Sequence, residues 1–97
     1  MGIRHIALFR WTEDVTPEQV EQVEKILGGL PGAIPELKSY SFGADLGIGT
    51  GNHDFAVVAD VEGESGFLAY QNHPDHQAAL RVIRPMLADR AAVQFDI

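Results

Sequence analysis

The chain has 97 residues, no cysteine and a formal net charge of −7, with 45% hydrophobic and 22% charged residues. This size and composition predict one soluble, cytoplasmic domain with a single core, and the absence of cysteine excludes disulfides, thiolate metal ligands and cysteine nucleophiles. Nucleic acid and membrane are not expected as partners, because no basic cluster is present and no apolar run reaches the ~20 residues of a membrane-spanning helix.

The first predicted strand spans residues 3–10 and has two distinct faces. Alternate side chains of a strand point to opposite sides of the sheet. One side carries Ile3, His5, Ala7 and Phe9, and the other carries Arg4, Ile6, Leu8 and Arg10. Apolar residues therefore occupy both faces of this strand.

A helix is predicted directly after Thr16. Thr16 suits the N-cap, Pro17 suits the first helical position, and Gln19 can complete a capping box. The apolar stripe of this helix consists of Val20, Val23, Ile26, Leu27 and Leu30. The glycine pair at 28–29 is expected to end the helix, and Pro31 is expected to prevent it from resuming.

Two further strands are predicted at residues 38–44 and 55–61, joined by a glycine-rich loop at 45–53. On the first of these strands, Tyr40 and Phe42 share a face. The loop superficially resembles a nucleotide-binding loop, but the phosphate-binding fingerprints need a helix directly after the glycines. A strand follows here, so we expect the loop to be a hairpin-like connection only.

The C-terminal part predicts a helix at 64–71, a second helical stretch after Pro74 and a final strand at 91–97. Pro85 is expected to break or kink the second helical stretch. On the last strand one face carries Val93, Phe95 and Ile97. The element order is β-α-β-β-α-β, which predicts a ferredoxin-like α+β fold with an antiparallel four-stranded sheet.

The sheet face that the helices leave uncovered is expected to be apolar rather than polar. On it, Ile6 and Leu8 of the first strand accompany Ala56 and Val58 of the third. A solvated sheet face is normally polar, and a large apolar patch is unusual on a monomer. Packing two sheets face to face in a twofold dimer would bury the patch. The pattern therefore favours a homodimer through this face, the alternative being a monomer with an unusually apolar surface.

Residues suited to chemistry are concentrated between Tyr70 and His76. His73 is expected to cap a helix that begins at Pro74, which places His76 in the first turn of that helix. The positive end of a helix lowers the pKa of an imidazole and favours the neutral form that can act as a base. Tyr70 can orient a substrate oxygen or donate a proton to it.

The predicted catalytic residues are His76, Tyr70 and His5, an unusual residue for the middle of a strand. Predicted substrate contacts are Phe9, Phe55, Val57 and His73. Structural alternatives remain open: His5 as a satisfied core histidine and His76 as part of a helix start. His53 is expected to be solvated, and the pair formed by His73 and His76 lacks a standard zinc spacing, so we expect neither metal nor cofactor.

Several segments together resemble the stress-responsive A/B barrel (Dabb) family. They are Ile3–Phe9, Leu30-Pro31 followed by Ile34-Pro35, Phe42-Gly43, and Tyr70-x-x-His73-Pro74-x-His76. The resemblance spans essentially the whole chain, and the last segment is its most specific part. It implies a ferredoxin-like subunit that pairs into a dimeric α/β barrel.

The family includes boiling-stable plant stress proteins and a plant polyketide cyclase. Resemblance to the cyclase implies that His76 acts as the base of an aldol cyclisation and that Tyr70 and His5 line the same pocket. This chain departs from the cyclase in having Phe55 in place of a pocket histidine and Leu27 in place of a pocket tyrosine, which implies a less polar cavity.

Two functions therefore remain as hypotheses. The first is a cofactor-independent, cyclase- or lyase-like enzyme that acts on a small apolar carbonyl compound, such as a polyketide. The second is a non-catalytic homo-oligomer that responds to stress or binds a small ligand. A third class, a monooxygenase that uses neither metal nor flavin, has no residue signature here.

Overall fold

The computed structural model describes residues 1–97 and contains one sheet with helices packed against one of its faces. The strands are β1 (Gly2–Trp11), β2 (Ser39–Ala44), β3 (Phe55–Glu62) and β4 (Leu87–Asp96). The helices are α1 (Pro17–Gly28), α2 (Leu30–Ala33), α3 (Gly63–Asn72) and α4 (Pro74–Ile83), and a 3-10 turn follows at Arg84–Met86. The strand order is β2-β3-β1-β4 with every pair antiparallel, which confirms the predicted ferredoxin-like α+β fold. None of the helices combines the length and apolar character that crossing a membrane requires.

The start of α1 follows directly from its local sequence. The Thr16 hydroxyl accepts a hydrogen bond from the Gln19 backbone N–H at 3.2 Å, and the Gln19 side-chain oxygen accepts one from the Thr16 backbone N–H at 2.8 Å. Pro17 occupies the first turn, where a backbone N–H has no helical acceptor. The predicted capping box is therefore confirmed.

Two predicted boundaries are wrong. Pro31 does not prevent a further helix, because α2 forms a single turn in which Pro31 lies at a position that needs no N–H donor. The last strand begins at Leu87 rather than at residue 91. Its backbone pairing with β1 continues past a bulge at Arg10 as far as Trp11, which pairs with Leu87. The start of this strand is therefore set by pairing with β1 and not by an alternation of apolar residues.

One face of the sheet packs against the helices. Residues directly opposite each other on antiparallel strands share a face. The three central rows on this face are Tyr40–Ala59–His5–Gln94, Phe42–Val57–Ala7–Ala92 and Ala44–Phe55–Phe9–Arg90. The residues of β1 and β3 in these rows are buried, whereas the residues of β4 after Leu87 are exposed. Strand β4 therefore projects beyond the helical layer.

The opposite, open face carries the apolar residues that the sequence predicts there. Its rows are Ser39–Asp60–Arg4–Phe95, Ser41–Val58–Ile6–Val93 and Gly43–Ala56–Leu8–Ala91. The Arg4 guanidinium donates two hydrogen bonds to the Asp60 carboxylate at 2.8 and 2.9 Å, and the Ser39 hydroxyl donates a third at 2.7 Å. An ion pair therefore bounds one side of an apolar surface on which Val93 and Phe95 are 53% and 45% exposed.

Candidate active site

A cavity of about 340 Å³ lies between the helix-covered face of the sheet and helix α4. All four strands and helices α1, α3 and α4 contribute to its wall. The apolar part of the wall includes Ala7, Phe9, Leu27, Val57, Ala79, Leu80, Ile83 and Leu87. The polar part consists of His5, Tyr40, Tyr70, Gln71, His76, Arg84 and Arg90.

His76 is held by the junction between α3 and α4. His73 caps α4 as predicted, with its Nδ1 accepting a hydrogen bond from the Asp75 backbone N–H at 3.1 Å. One turn on, the Nδ1 of His76 lies 3.0 Å from the carbonyl oxygen of Gln71. Because a carbonyl oxygen can only accept, Nδ1 of the neutral ring carries the proton and Nε2 carries the lone pair. The junction therefore leaves Nε2 of His76 as the basic atom.

Burial and nearby cations keep His76 neutral. Burial in the cavity wall lowers its pKa, and the positive charges of Arg84 and Arg90 lower it further, against the opposing effect of the Gln71 carbonyl. The sequence also predicts a lowered pKa for His76 but attributes it to the positive end of the helix. The main cause in the structure is loss of water around the ring.

His5 has the complementary hydrogen-bonding role. Its side chain is 5% exposed, and its Nδ1 lies 2.7 Å from the side-chain nitrogen of Gln94 on β4. Since that amide nitrogen donates, Nδ1 accepts and Nε2 of His5 carries the proton. Burial, followed by the positive charge of Arg90, lowers the pKa of His5 to about 4. At neutral pH the cavity thus contains one imidazole that donates through Nε2 and one that accepts through Nε2.

Two tyrosines complete the polar part of the wall. The ring of Tyr70 packs against His76 with centroids 4.4 Å apart, and the ring of Tyr40 lies 6.4 Å from Tyr70. Burial is the main cause that raises the pKa of both phenols. Both hydroxyls are therefore protonated at neutral pH; the Tyr40 hydroxyl interacts with Tyr70, which leaves the Tyr70 hydroxyl to donate to a ligand oxygen.

The structure brings together five of the seven predicted site residues: His5, Phe9, Val57, Tyr70 and His76. The placement of the other two does not support the expected ligand contact. Phe55 is 1% exposed and stacks behind Phe9, with ring centroids 6.2 Å apart, so Phe9 stands in front of it. The imidazole of His73 is used in the helix cap.

His53 differs from the expectation of a solvated loop residue. Its side chain is half-buried in the loop between β2 and β3, with Nε2 3.5 Å from a carboxylate oxygen of Asp89 and without a hydrogen-bonding partner. No group of three or more His, Asp or Glu side chains is arranged to hold a metal ion.

Sequence reasoning missed four polar residues of the cavity. Tyr40 shares a row with His5, and Arg90 is opposite Phe9, so the strand register would have placed both of them. Gln71 lies next to Tyr70, and Arg84 follows the last turn of α4. No local pattern distinguishes these last two from ordinary surface residues.

A β-α-β-β-α-β chain with one helical layer, an open sheet face and a cavity under the helices defines a ferredoxin-like α+β protein. The chain belongs to the Stress responsive A/B Barrel Domain (Dabb) family, whose model matches residues 3–97, and this confirms the resemblance seen in the sequence. Among curated proteins, a search finds no significant match.

Solved structures with the same fold include proteins with and without a known activity. A dimeric ferredoxin-like protein of unknown function from Thermobifida fusca YX is 71% identical, with a TM-score of 0.95 and coverage of 100% of this chain and 92% of the other. A dimeric protein of unknown function from Bacteroides fragilis is 23% identical (TM-score 0.86, coverage 99% and 96%). The hydroxynitrile lyase from Passiflora edulis is 21% identical (TM-score 0.87, coverage 99% and 93%). The last two likenesses concern the fold alone.

Proposed function

We propose that the protein is a cofactor-independent enzyme that moves a proton at a carbon next to a carbonyl group of a small, largely apolar compound. The observation that carries this proposal is the pair of neutral imidazoles in one apolar cavity. His76 offers a free lone pair on Nε2, and His5 offers an N–H on its Nε2. A base and a hydrogen-bond donor are the two groups that enolate formation needs.

In the proposed reaction, Nε2 of His76 removes a proton from the substrate carbon, and the electron pair of that C–H bond forms an enolate. The Tyr70 hydroxyl and the Nε2–H of His5 donate hydrogen bonds to the enolate oxygen. In a poly-β-ketone the enolate carbon then attacks a second carbonyl carbon of the same molecule. The imidazolium returns its proton to the resulting alkoxide, which restores the neutral base.

The same groups suit the reverse direction. A base that accepts the proton of a hydroxyl group promotes cleavage of the adjacent C–C bond, which is the reaction of a lyase. The Passiflora edulis hydroxynitrile lyase has the same fold, which is compatible with this chemistry. Cyclisation and cleavage thus require the same placement of base and donor.

A direct test uses heptane-2,4,6-trione, whose aldol cyclisation with loss of one water gives 3,5-dihydroxytoluene. Chromatographic detection of this product above the buffer rate is the expected result. His76→Gln should lower kcat/KM by ~10²–10⁴-fold, as expected for loss of a general base. His53→Gln, an imidazole outside the cavity, should leave kcat/KM unchanged.

The pH profile gives a second readout. The neutral form of His76 is the active base, and its pKa is lowered from 6.5. As the pH is increased, kcat/KM should therefore rise with a midpoint below pH 6.5 and be constant at neutral pH. Turnover that survives His76→Gln would remove the base from the mechanism. A wild-type protein that forms no product would support the non-catalytic alternative, a stress or ligand-binding protein.

We further propose that the chain works as a homodimer through its open sheet face. Two observations support this. The open face carries exposed Val93 and Phe95 beside Ile6 and Leu8, and two similar structures are of dimeric proteins. Face-to-face packing of two such sheets would remove these side chains from water.

A further inference from the structure

Two arginines in the cavity wall bear on the kind of substrate that enters. Arg84 and Arg90 line the same cavity as His5 and His76, and both side chains are exposed. Neither guanidinium forms a salt bridge within the chain, whereas Arg4 is paired with Asp60. Their charges are therefore available to a ligand at the cavity mouth.

The distribution of charge makes this placement unusual. The chain has 14 acidic and seven basic residues, yet no Asp or Glu lines the cavity. With both histidines neutral, the cavity wall has only positive formal charge in a strongly acidic protein. A concave site of one sign attracts ligands of the opposite sign.

The two cations are close enough to the candidate reacting groups to affect them. The charge of Arg90 contributes to the lowered pKa of His5 and His76 and opposes the rise in the pKa of Tyr70, and the charge of Arg84 contributes to the lowered pKa of His76. Arg84 follows the last turn of α4 and His76 lies in the first, so their backbones are ~12 Å apart along the helix axis. This spacing suits a ligand with several bonds between its charged end and its reacting carbon.

We propose that the substrate carries an oxyanion, a carboxylate or a phosphate, which Arg84 and Arg90 bind at the cavity mouth while the apolar carbonyl-bearing part extends towards His76. This inference rests on the proposed function, because it defines the substrate class of the same cavity. Guanidinium groups present several N–H donors in a plane that matches the oxygens of both anions.

The test is a calorimetric titration of the wild-type protein with hexanoate, hexanamide and hexyl phosphate at low salt. Hexanoate or hexyl phosphate should bind at least ~10-fold more tightly than hexanamide, the size of effect expected for hydrogen bonds to a charged group. The anion that binds more tightly shows whether the site prefers a carboxylate or a phosphate. Arg84→Gln and Arg90→Gln should each weaken binding of that anion by ~10-fold and leave hexanamide binding unchanged.

Arg81→Gln is the matched control. Arg81 is exposed on α4 and does not line the cavity, so this variant removes the same charge from the same helix without touching the site. Its anion affinity should equal that of the wild type. Circular dichroism establishes that each variant is folded.

The inference is overturned if neither anion binds more tightly than hexanamide, including the case in which nothing binds, or if Arg81→Gln weakens anion binding as much as the two cavity variants. These titrations do not depend on turnover. Loss of trione cyclisation in His76→Gln without any anion preference would retain the proposed function and refute the oxyanion site. Tighter binding of an anion by a protein that does not cyclise the trione would support the oxyanion site and refute the proposed function.

Discussion

Replacing Val93 by aspartate is expected to separate the proposed dimer into monomers. Val93 lies opposite Ile6 in the middle row of the open face and is 53% exposed in the single chain. The nearest cation in the adjoining row is Arg4, which is already paired with Asp60. A carboxylate at position 93 would therefore meet no free positive charge in its own row or in the adjoining rows of this face.

The expected size of the effect depends on which change is made. Complete burial of a valine side chain contributes ~1.5 kcal/mol, so burying the exposed half contributes ~0.8 kcal/mol per protomer. Twofold symmetry doubles this to ~1.5 kcal/mol, and Val93→Ala should weaken the dimer by no more than ~10-fold. Val93→Asp instead places two unpaired carboxylates in an apolar interface at several kcal/mol each, which weakens the dimer by more than ~10⁴-fold.

Size-exclusion chromatography with light scattering measures this directly. The wild type should have the mass of two 10.6 kDa chains, and Val93→Asp should have the mass of one. Val82→Asp is the control, since Val82 is a 37% exposed valine on the outer surface of α4. A dimeric Val93→Asp protein, or a Val82→Asp protein that dissociates as readily, would refute the assignment of the open face as the interface.

Two further predictions concern separate pH windows of stability. Because the pKa of His5 is about 4 in the folded protein against 6.5 ordinarily, the unfolded chain takes up the proton first, and stability should fall as the pH drops from about 6.5 to about 4. A His5 ring titration by NMR with a midpoint at or above 6.5 would contradict this. Hydrogen bonding from Arg4 lowers the pKa of Asp60 from 3.8 to about 2, so its contribution should be complete above pH ~4 and be lost towards pH 2. The urea midpoint of unfolding of Asp60→Asn should not show the fall between pH ~4 and pH 2 that the wild type shows. If the midpoint of the variant falls as steeply as that of the wild type, the ion pair of Arg4 and Asp60 is not the cause of the acid destabilisation.

Features that depend on neighbouring residues could be predicted from the sequence. The capping box of Thr16 and Gln19 and the cap formed by His73 each involve residues within three positions of one another. The two-faced character of β1 likewise follows from its alternation. These elements are enough to determine the fold class, because the order of strands and helices restricts the possible topologies strongly.

Features that depend on register and on the placement of helices could not be predicted in the same way. Phe55 shares a face with Val57, but Phe9 stands between Phe55 and the cavity, and the alternation of the strand does not show this. Arg90 enters the site because β4 begins at Leu87, a boundary set by pairing with β1. Such contacts join residues that are far apart in the chain.

Strand β4, which projects beyond the helices, has a further consequence for how the protein responds to its own concentration. Its alternate residues serve two surfaces: Val93 and Phe95 lie on the open face, while Arg90 and Gln94 reach the cavity and His5. In the proposed dimer, subunit pairing would contact one side of the same backbone that carries the cavity residues on its other side. By thermodynamic linkage, a ligand that binds better to the paired form must strengthen pairing by the same factor. Dilution and ligand occupancy would then act on one equilibrium, because the same strand contributes to both surfaces.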